Sequence, residues 1–204
     1  SSALFDVVKL NDISKDVVAT YTAEQVYDQA MAWAAQYHPE LAAILSADKA
    51  YTLAVFNVER TGDSPRKDIV NWSDLSRACG LFYELIFERY IAADGYPFPP
   101  KVPSEDLVHI FEHCLELDWS QPKDGYLAHM REYAEQIGFA RDNKTYKANP
   151  DAYKGTFGDL MMAIRVGLTG KTNTPDLYEI ANTMGPERTR SRFLRAIEAA
   201  KARA

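Results

Sequence analysis

The chain has 204 residues, 47% of them apolar and 25% charged, with a formal net charge of −6. That is the composition of an ordinary globular protein of one large or two small domains, whose core needs no disulfide or metal. No apolar run approaches the ~20 residues of a membrane span. The two cysteines, Cys79 and Cys114, lie far apart, form no CxxC pair or Cys/His cluster, and read as small buried apolar residues. Such usage fits a reducing cytoplasm and predicts no metal site. The N-terminal SSALFDVVKL lacks the basic and apolar regions of a signal peptide and reads as an abrupt start within folded sequence.

The net charge conceals an asymmetry. Residues 1–83 carry 7 basic and 11 acidic side chains, residues 84–142 carry 5 and 12, and residues 143–204 carry 11 and 6. A polyanion would dock on the basic end and be repelled by the acidic middle.

Helical patterning runs through the whole chain. KLNDISK reads as a capped helix junction around its Ser-Lys pair. TAEQVYDQAMAWAAQY opens on Thr22 with Gln25 three positions later, a capping box, and Val26, Ala30, Trp33 and Tyr37 mark its buried face. His38-Pro39 ends it, because the residue before proline is pushed out of the helical region. AYTLAVFNVER alternates like a strand, but its Leu, its Ala and its helical neighbours favour a helix. NWSDLSRACGLFYELIFERYIAADG predicts one long helix. Asn71 or Ser73 would cap it, Trp72, Leu75, Cys79, Phe82, Leu85, Ile86 and Arg89 would share one side, and Gly95 would supply a left-handed stop.

YPFPPKVP follows, four prolines in eight residues, and predicts a stiff linker at 96–103 between domains 1–95 and 104–204. Beyond it, SEDLVHIFEHCLEL, capped by Ser104, and GYLAHMREYAEQIGFA are amphipathic helices. ANPDAYKG places Asn149 as cap before Pro150. Then come GDLMMAIRVGLTG, TPDLYEIANTMG and PERTRSRFLRAIEAAKARA, where Gly170 closes one helix and Thr174-Pro175 opens the next. The expected fold class is all-α, about ten to eleven short helices in two consecutive bundles.

No catalytic constellation emerges: there is no GxGxxG after a strand, no GxxxxGK[ST], no HExxH and no GxSxG. His109 and His113 have the i, i+4 spacing of metal ligands but no third partner, and read as an exposed helix face. Two stretches instead combine arginines with backbone-rich turns. They are ERTGDSPRKDIVNWSD, with Arg60, Arg66 and Lys67, and RVGLTGKTNTPDLYEI, with Arg165. A planar guanidinium hydrogen-bonds bidentately and stacks on bases, and single-stranded RNA loops are read through splayed bases at such places.

On these residues a family resemblance is visible. RVGLTGKTNTPDLYEIANTMGPERTRSRFLRAI resembles the C-terminal end of bacterial glutamyl-tRNA synthetases, with their Arg, Leu-Thr-Gly, short loop, Thr-Pro-x-Leu helix start and Gly-x-Glu-Arg junction. SPRKDIVNWSD is similar to that family's first anticodon-contacting loop, and ALFDVVKLNDIS to the stretch after its catalytic lysine motif. The resemblance covers residues 3 to about 198. It implies the helical anticodon-binding region of a class I enzyme, from the end of the stem-contact domain onward, with tRNA(Glu) as partner and neither DNA nor membrane. It further implies a cytoplasmic monomer and an upstream catalytic domain that uses ATP and Mg2+. The chain by itself is then expected to be inactive, with no catalytic residue of its own.

Residue by residue, the resemblance assigns Arg66 to the third anticodon base and Arg165 to the first, with Thr174 and Leu177 in the same wall. Among Arg188, Arg190, Arg192 and Arg195 it implies one or two phosphate contacts. The acidic stretch YPFPPKVPSEDLVHIFEHCLELDWSQPKDGY is not a close match and is expected to face away from RNA. A class I lysyl-tRNA synthetase, whose C-terminal helical region is related, and a helical scaffold that binds no RNA are the competing readings.

Overall fold

The structure, a computed structural model, describes residues 6–203. Those residues form eleven α-helices and three single 3-10 turns, with no strand among them, as expected of an all-α chain. Among the described residues no helix is long and apolar enough to cross a membrane. The chain divides into two compact units between Glu88 and Arg89.

The first unit begins with α1 (Val7–Ala19), α2 (Ala23–Tyr37), α3 (Pro39–Ala47) and α4 (Lys49–Asn57). Side chains at the starts of the helices take the orphan amides of the first turn. Asp6 accepts from Lys9 N and Asp48 from Tyr51 N. Thr22 and Gln25 make the reciprocal capping box, at 3.2 and 2.9 Å. His38 ends α2 and, through Nδ1, caps α3. Ser14 and Lys15 lie inside α1 rather than at a junction, and the Ser14 hydroxyl donates to Val70 O. The buried stripe of α2 is Val26, Ala30 and Ala34, whereas Tyr37 is 64% exposed. Small residues four apart let α3 and α4 approach that face closely, which a tyrosine at its end would prevent.

The long helix expected over 71–94 is broken. A 3-10 turn at Trp72–Asp74 leads into α5 (Leu75–Cys79), a second turn spans Gly80–Phe82, and α6 (Glu84–Asp94) starts afresh. Asn71 makes no side-chain cap hydrogen bond. The break comes from tertiary contacts. Tyr83 takes an extended backbone, and its hydroxyl donates to Thr52 Oγ1 at 3.0 Å inside the core. Tyr51 in turn donates to Phe82 O at 2.8 Å. Gly80 fits because a Cβ there would meet Ile86 Cγ2 at 2.6 Å. Leu85, placed by periodicity on the buried side, is exposed.

The second unit contains the end of α6 and its left-handed stop at Gly95 (φ 71°). It continues with α7 (Ser104–Glu116), α8 (Lys123–Gln136), α9 (Asn143–Ala148), α10 (Phe157–Thr169) and α11 (Leu177–Ala202). The proline-rich segment lies in this unit: Phe98 packs on Phe111 with ring centres 5.8 Å apart, and Val102 is buried. Pro103, not Ser104, occupies the cap position of α7, and no side chain caps it. Asn149 precedes only a 3-10 turn, Pro150–Ala152, and makes no side-chain cap bond. The core joins Leu107, Ile110, Phe111 and Cys114 of α7 to Leu160, Ala163 and Ile164 of α10 and to Ile180, Met184, Phe193 and Ala196 of α11. Backbone angles at Gly185 (φ 78°, ψ 168°) followed by Pro186 kink α11 into two helices, as the Gly-Pro pair predicts. Thr189 donates across the kink to Ala181 O at 3.2 Å, a side-chain bond that links the two halves of α11.

Candidate nucleic-acid interface

In the first unit, the loop after α4 turns at Glu59 (φ 50°) and Gly62 (φ 121°), and Arg66 N closes it onto Glu59 O at 2.8 Å. Arg60 is a strut. Its Nε donates to Phe56 O at 2.7 Å, and its Nη1 donates to Val18 O and Tyr21 O at 2.9 and 3.3 Å, tying the ends of α1 and α4 together. Burial, and then the Arg66 charge, push its pKa down. Lys67 pairs with Asp16 at 2.9 Å on the surface.

Arg66 is more constrained than a surface arginine, its side chain only 9% exposed. Nη2 meets Asp68 Oδ2 at 2.6 Å and donates to Ala78 O at 3.2 Å, with Cys79 Sγ at 3.7 Å. Burial pushes the arginine's pKa down, but Cys79 and Asp68 outweigh it and hold the guanidinium above its usual value. Burial raises the Cys79 thiol, so at neutral pH it is an uncharged sulfur and Asp68 is the counter-charge. Nε and Nη1 make no hydrogen bond among the described residues.

In the second unit, Arg165 lies on the last turns of α10, whose end is set by Gly170 (φ 67°). A Cβ at 170 would meet Ile91 Cδ1 at 2.5 Å and Tyr90 Cε2 at 2.9 Å, so the turn sits directly on α6. The Tyr90 hydroxyl donates to Thr169 O, and Lys171 Nζ stands 5.0 Å from the centre of the Tyr90 ring. Arg165 reaches across the junction. Its Nη1 donates to Thr174 O at 3.1 Å, to Pro175 O at 2.9 Å and to Thr174 Oγ1. Nε and Nη2 make no hydrogen bond among the described residues.

Thr174 is not the cap expected of it. Asp176 caps α11, accepting from Glu179 N at 3.1 Å, and Thr174 instead donates to Pro175 O at 2.9 Å and accepts from Arg165. With Pro175 ahead of it, the chain enters the helix two residues later than the Thr-Pro pair suggests. Leu177 is 3% exposed, so it packs the corner from behind rather than offering surface. Arg165, Thr174 and Leu177 thus come together at one corner, while Arg66 belongs to the other unit.

Two neighbours of this corner carry no sequence motif. Lys123, at the start of α8, pairs with Asp176 Oδ2 at 3.0 Å. Tyr126 is buried beneath with a hydroxyl that has no hydrogen-bond partner among the described residues. Burial, Cys114 and Asp176 push its phenol pKa up. Segment 119–123, expected to face away, is knitted to the start of α11. Tyr178 donates to Gln121 O at 2.6 Å and Asn182 to Trp119 O at 2.9 Å. Of the four C-terminal arginines, Arg192 is fully buried and cannot meet a phosphate, whereas Arg188, Arg190 and Arg195 are exposed.

His113 and His129 face each other with Nε2 atoms 3.0 Å apart and rings nearly parallel, an in-plane imidazole hydrogen bond between α7 and α8. His113 is therefore not the bare surface histidine its spacing suggested. Among the described residues no three His, Cys, Asp or Glu gather as a metal site.

Residues 127–197 match the anticodon binding domain family, a span that includes Arg165, Thr174 and Leu177 but not Arg66. The chain is 38% identical over 194 residues to a glutamate–tRNA ligase of Clostridium perfringens, across 95% of this chain and 35% of that protein. It is 37% identical to the glutamate–tRNA ligase of Sorangium cellulosum, across 95% of this chain and 34% of that protein. The one from Acetivibrio thermocellus is 35% identical over 199 residues, across 97% and 35%. The chain therefore spans about a third of the length of the curated relatives it matches.

Proposed function

We propose that this chain, homologous along nearly all its length to about a third of the glutamate–tRNA ligase polypeptide, is the anticodon-binding part of such an enzyme and recognises tRNA(Glu). The observation that carries the reading is a guanidinium held on one side only. Arg165 spends Nη1 on the 174–175 backbone and keeps Nε and Nη2 for a ligand. An arginine already immobilised by the protein avoids roughly 0.5–1.5 kcal/mol of ordering cost on binding. Its remaining donors suit an acceptor edge, such as O2 and N3 of cytosine, and are repelled by the N1 and N2 donors of guanine.

Arg66 is built on the same plan, with Asp68 and Ala78 O holding Nη2 and a narrow edge left over. In this reading Arg66 reads the third anticodon base and Arg165 the first. Thr174 fixes Arg165, and Leu177 supports the corner. The complete enzyme would join glutamate to tRNA in the cytoplasm as a monomer. ATP and Mg2+ would serve amino-acid activation in the part of the polypeptide outside this chain, which would be inactive alone.

Filter binding of the chain to glutamate tRNA, beside a third-base C-to-G control, tests the reading. A good base contact is worth about 1–3 kcal/mol, so roughly 5- to 150-fold weaker binding is expected for the control. Equal binding to both overturns the anticodon assignment. Preference for lysine tRNA favours the lysyl enzyme, and absence of RNA binding favours a scaffold. Discrimination unchanged by Arg66→Ala in a full-length enzyme removes Arg66 from the site.

A further inference from the structure

The six residues from Lys171 to Asp176 begin with a lysine and end on an aspartate that pairs with a second lysine. Lys171 follows the Gly170 turn, its ammonium 5.0 Å from the centre of the Tyr90 ring. Lys123 comes from α8 and pairs with Asp176 at 3.0 Å, the two side chains 45% and 30% exposed. Arg165, from α10, holds Thr174 and Pro175 within the same six residues. Three separate elements thus bring positive charge to one short junction. Lys123 is notable in this, since residues 84–142 hold only 5 basic side chains against 12 acidic ones.

We propose that Lys123 and Lys171 form a backbone-phosphate subsite flanking the Arg165 corner, binding phosphodiester groups of the same single-stranded RNA loop whose base Arg165 reads. The subsite rests on the anticodon-binding reading above. An ammonium is a compact point charge that meets a phosphate without base selectivity, so the lysines position the strand and the arginine reads it. In the chain without RNA, Asp176 holds Lys123 at the rim. A phosphate competes for the same ammonium, and Asp176 keeps its second role as cap of α11.

The test is fluorescence anisotropy of the 204-residue chain with a labelled RNA hairpin bearing the glutamate anticodon, at several salt concentrations, beside a base-swapped hairpin. Lys123→Gln and Lys171→Gln should each flatten the slope of log affinity against log salt by about 0.7, the value for one single-strand phosphate contact. Both hairpins should lose affinity by the same factor, leaving their ratio unchanged. Asp176→Asn keeps a capping side chain while removing the carboxylate that competes with phosphate for Lys123, and should tighten binding and steepen the slope. Circular dichroism and melting temperature should match wild type for all three.

Slopes unchanged by both lysine substitutions, in a wild-type chain that binds the hairpin, overturn the subsite and leave the base reading standing. A changed ratio between hairpins with an unchanged slope also overturns it, because the lysines would then contact bases. A wild-type chain that binds neither hairpin overturns both readings together.

Discussion

Replacing Gly170 with alanine should cost the second unit about 2–4 kcal/mol, from two separable sources. Gly170 has φ 67°, where a Cβ crowds the following carbonyl at a cost of roughly 1 kcal/mol. The new methyl would also stand 2.5 Å from Ile91 Cδ1 and 2.9 Å from Tyr90 Cε2. The isoleucine tip can swing aside. The tyrosine ring cannot do so easily, because its hydroxyl is bonded to Thr169 O and Lys171 lies over its face. Overpacking of this kind costs about 1–3 kcal/mol.

Gly95 supplies the control. Its φ is 71°, yet nothing lies within 4 Å of a Cβ built there, so Gly95→Ala should cost only the backbone share, about 1 kcal/mol. Gly170→Asn, which tolerates the left-handed backbone but keeps the clash, should fall between them. Calorimetric melting reads all three, and Gly170→Ala should lower the transition of the second unit by roughly 10 °C or more. If Gly170→Ala and Gly95→Ala melt together, the close packing of the turn on α6 is wrong. If Gly170→Ala melts within a degree of wild type, the strain argument fails as well.

Thr22→Ala removes one half of the α2 capping box and should cost about 1 kcal/mol in urea denaturation, with Thr22→Ser close to wild type. Arg192→Ala should destabilise the chain by about 3 kcal/mol or more by opening the core around a fully buried side chain, whereas Arg190→Ala should be stability-neutral; equal melting temperatures for the two would contradict the burial. Tyr126→Phe deletes a buried hydroxyl with no partner among the described residues and should hold or raise the melting temperature, so a loss above about 1 kcal/mol would mean that a bonded hydroxyl had been removed. Burial, together with His129, lowers the His113 pKa in the folded state. The unfolded chain then takes up its proton first, so stability is complete above about pH 6.5 and falls as pH drops through the folded pKa. A stability profile between pH 7.5 and 5 should lose part of this slope in His113→Gln, and an unchanged slope would show that the imidazole pair does not sense pH.

Local chemistry made much of the fold readable. The Thr22–Gln25 box, the His38-Pro39 break, the left-handed stops at Gly95 and Gly170 and the Gly185-Pro186 kink depend on residues within four positions of one another, and each stands where the sequence places it. Errors arose where a distant partner decided. The 71–94 helix reads as continuous by period, but Tyr83 gives up helical backbone to reach Thr52. Thr174-Pro175 has the look of a helix start, but Arg165 takes the threonine and Asp176 becomes the cap.

The candidate site divides along the same line. The sequence by itself determined that arginines stand beside turns at Arg66 and Arg165, because residue type and turn chemistry are local properties. Only the tertiary structure decided how each guanidinium is used. Asp68, the ionic partner of Arg66 Nη2, is two residues away, but the other acceptors of Arg66 Nη2 and those of Arg165 Nη1 lie 9 to 13 residues along the chain. Lys123 was invisible to sequence reasoning, lying in a stretch judged acidic and remote, since its partner Asp176 is on another helix. Among the four C-terminal arginines the sequence does not single out Arg192 for the converse reason: a basic run looks solvated until packing turns one member inward. Periodicity and capping are set by the backbone within a turn or two, whereas the exposure and pairing of a long charged side chain are set by whatever the fold brings against it.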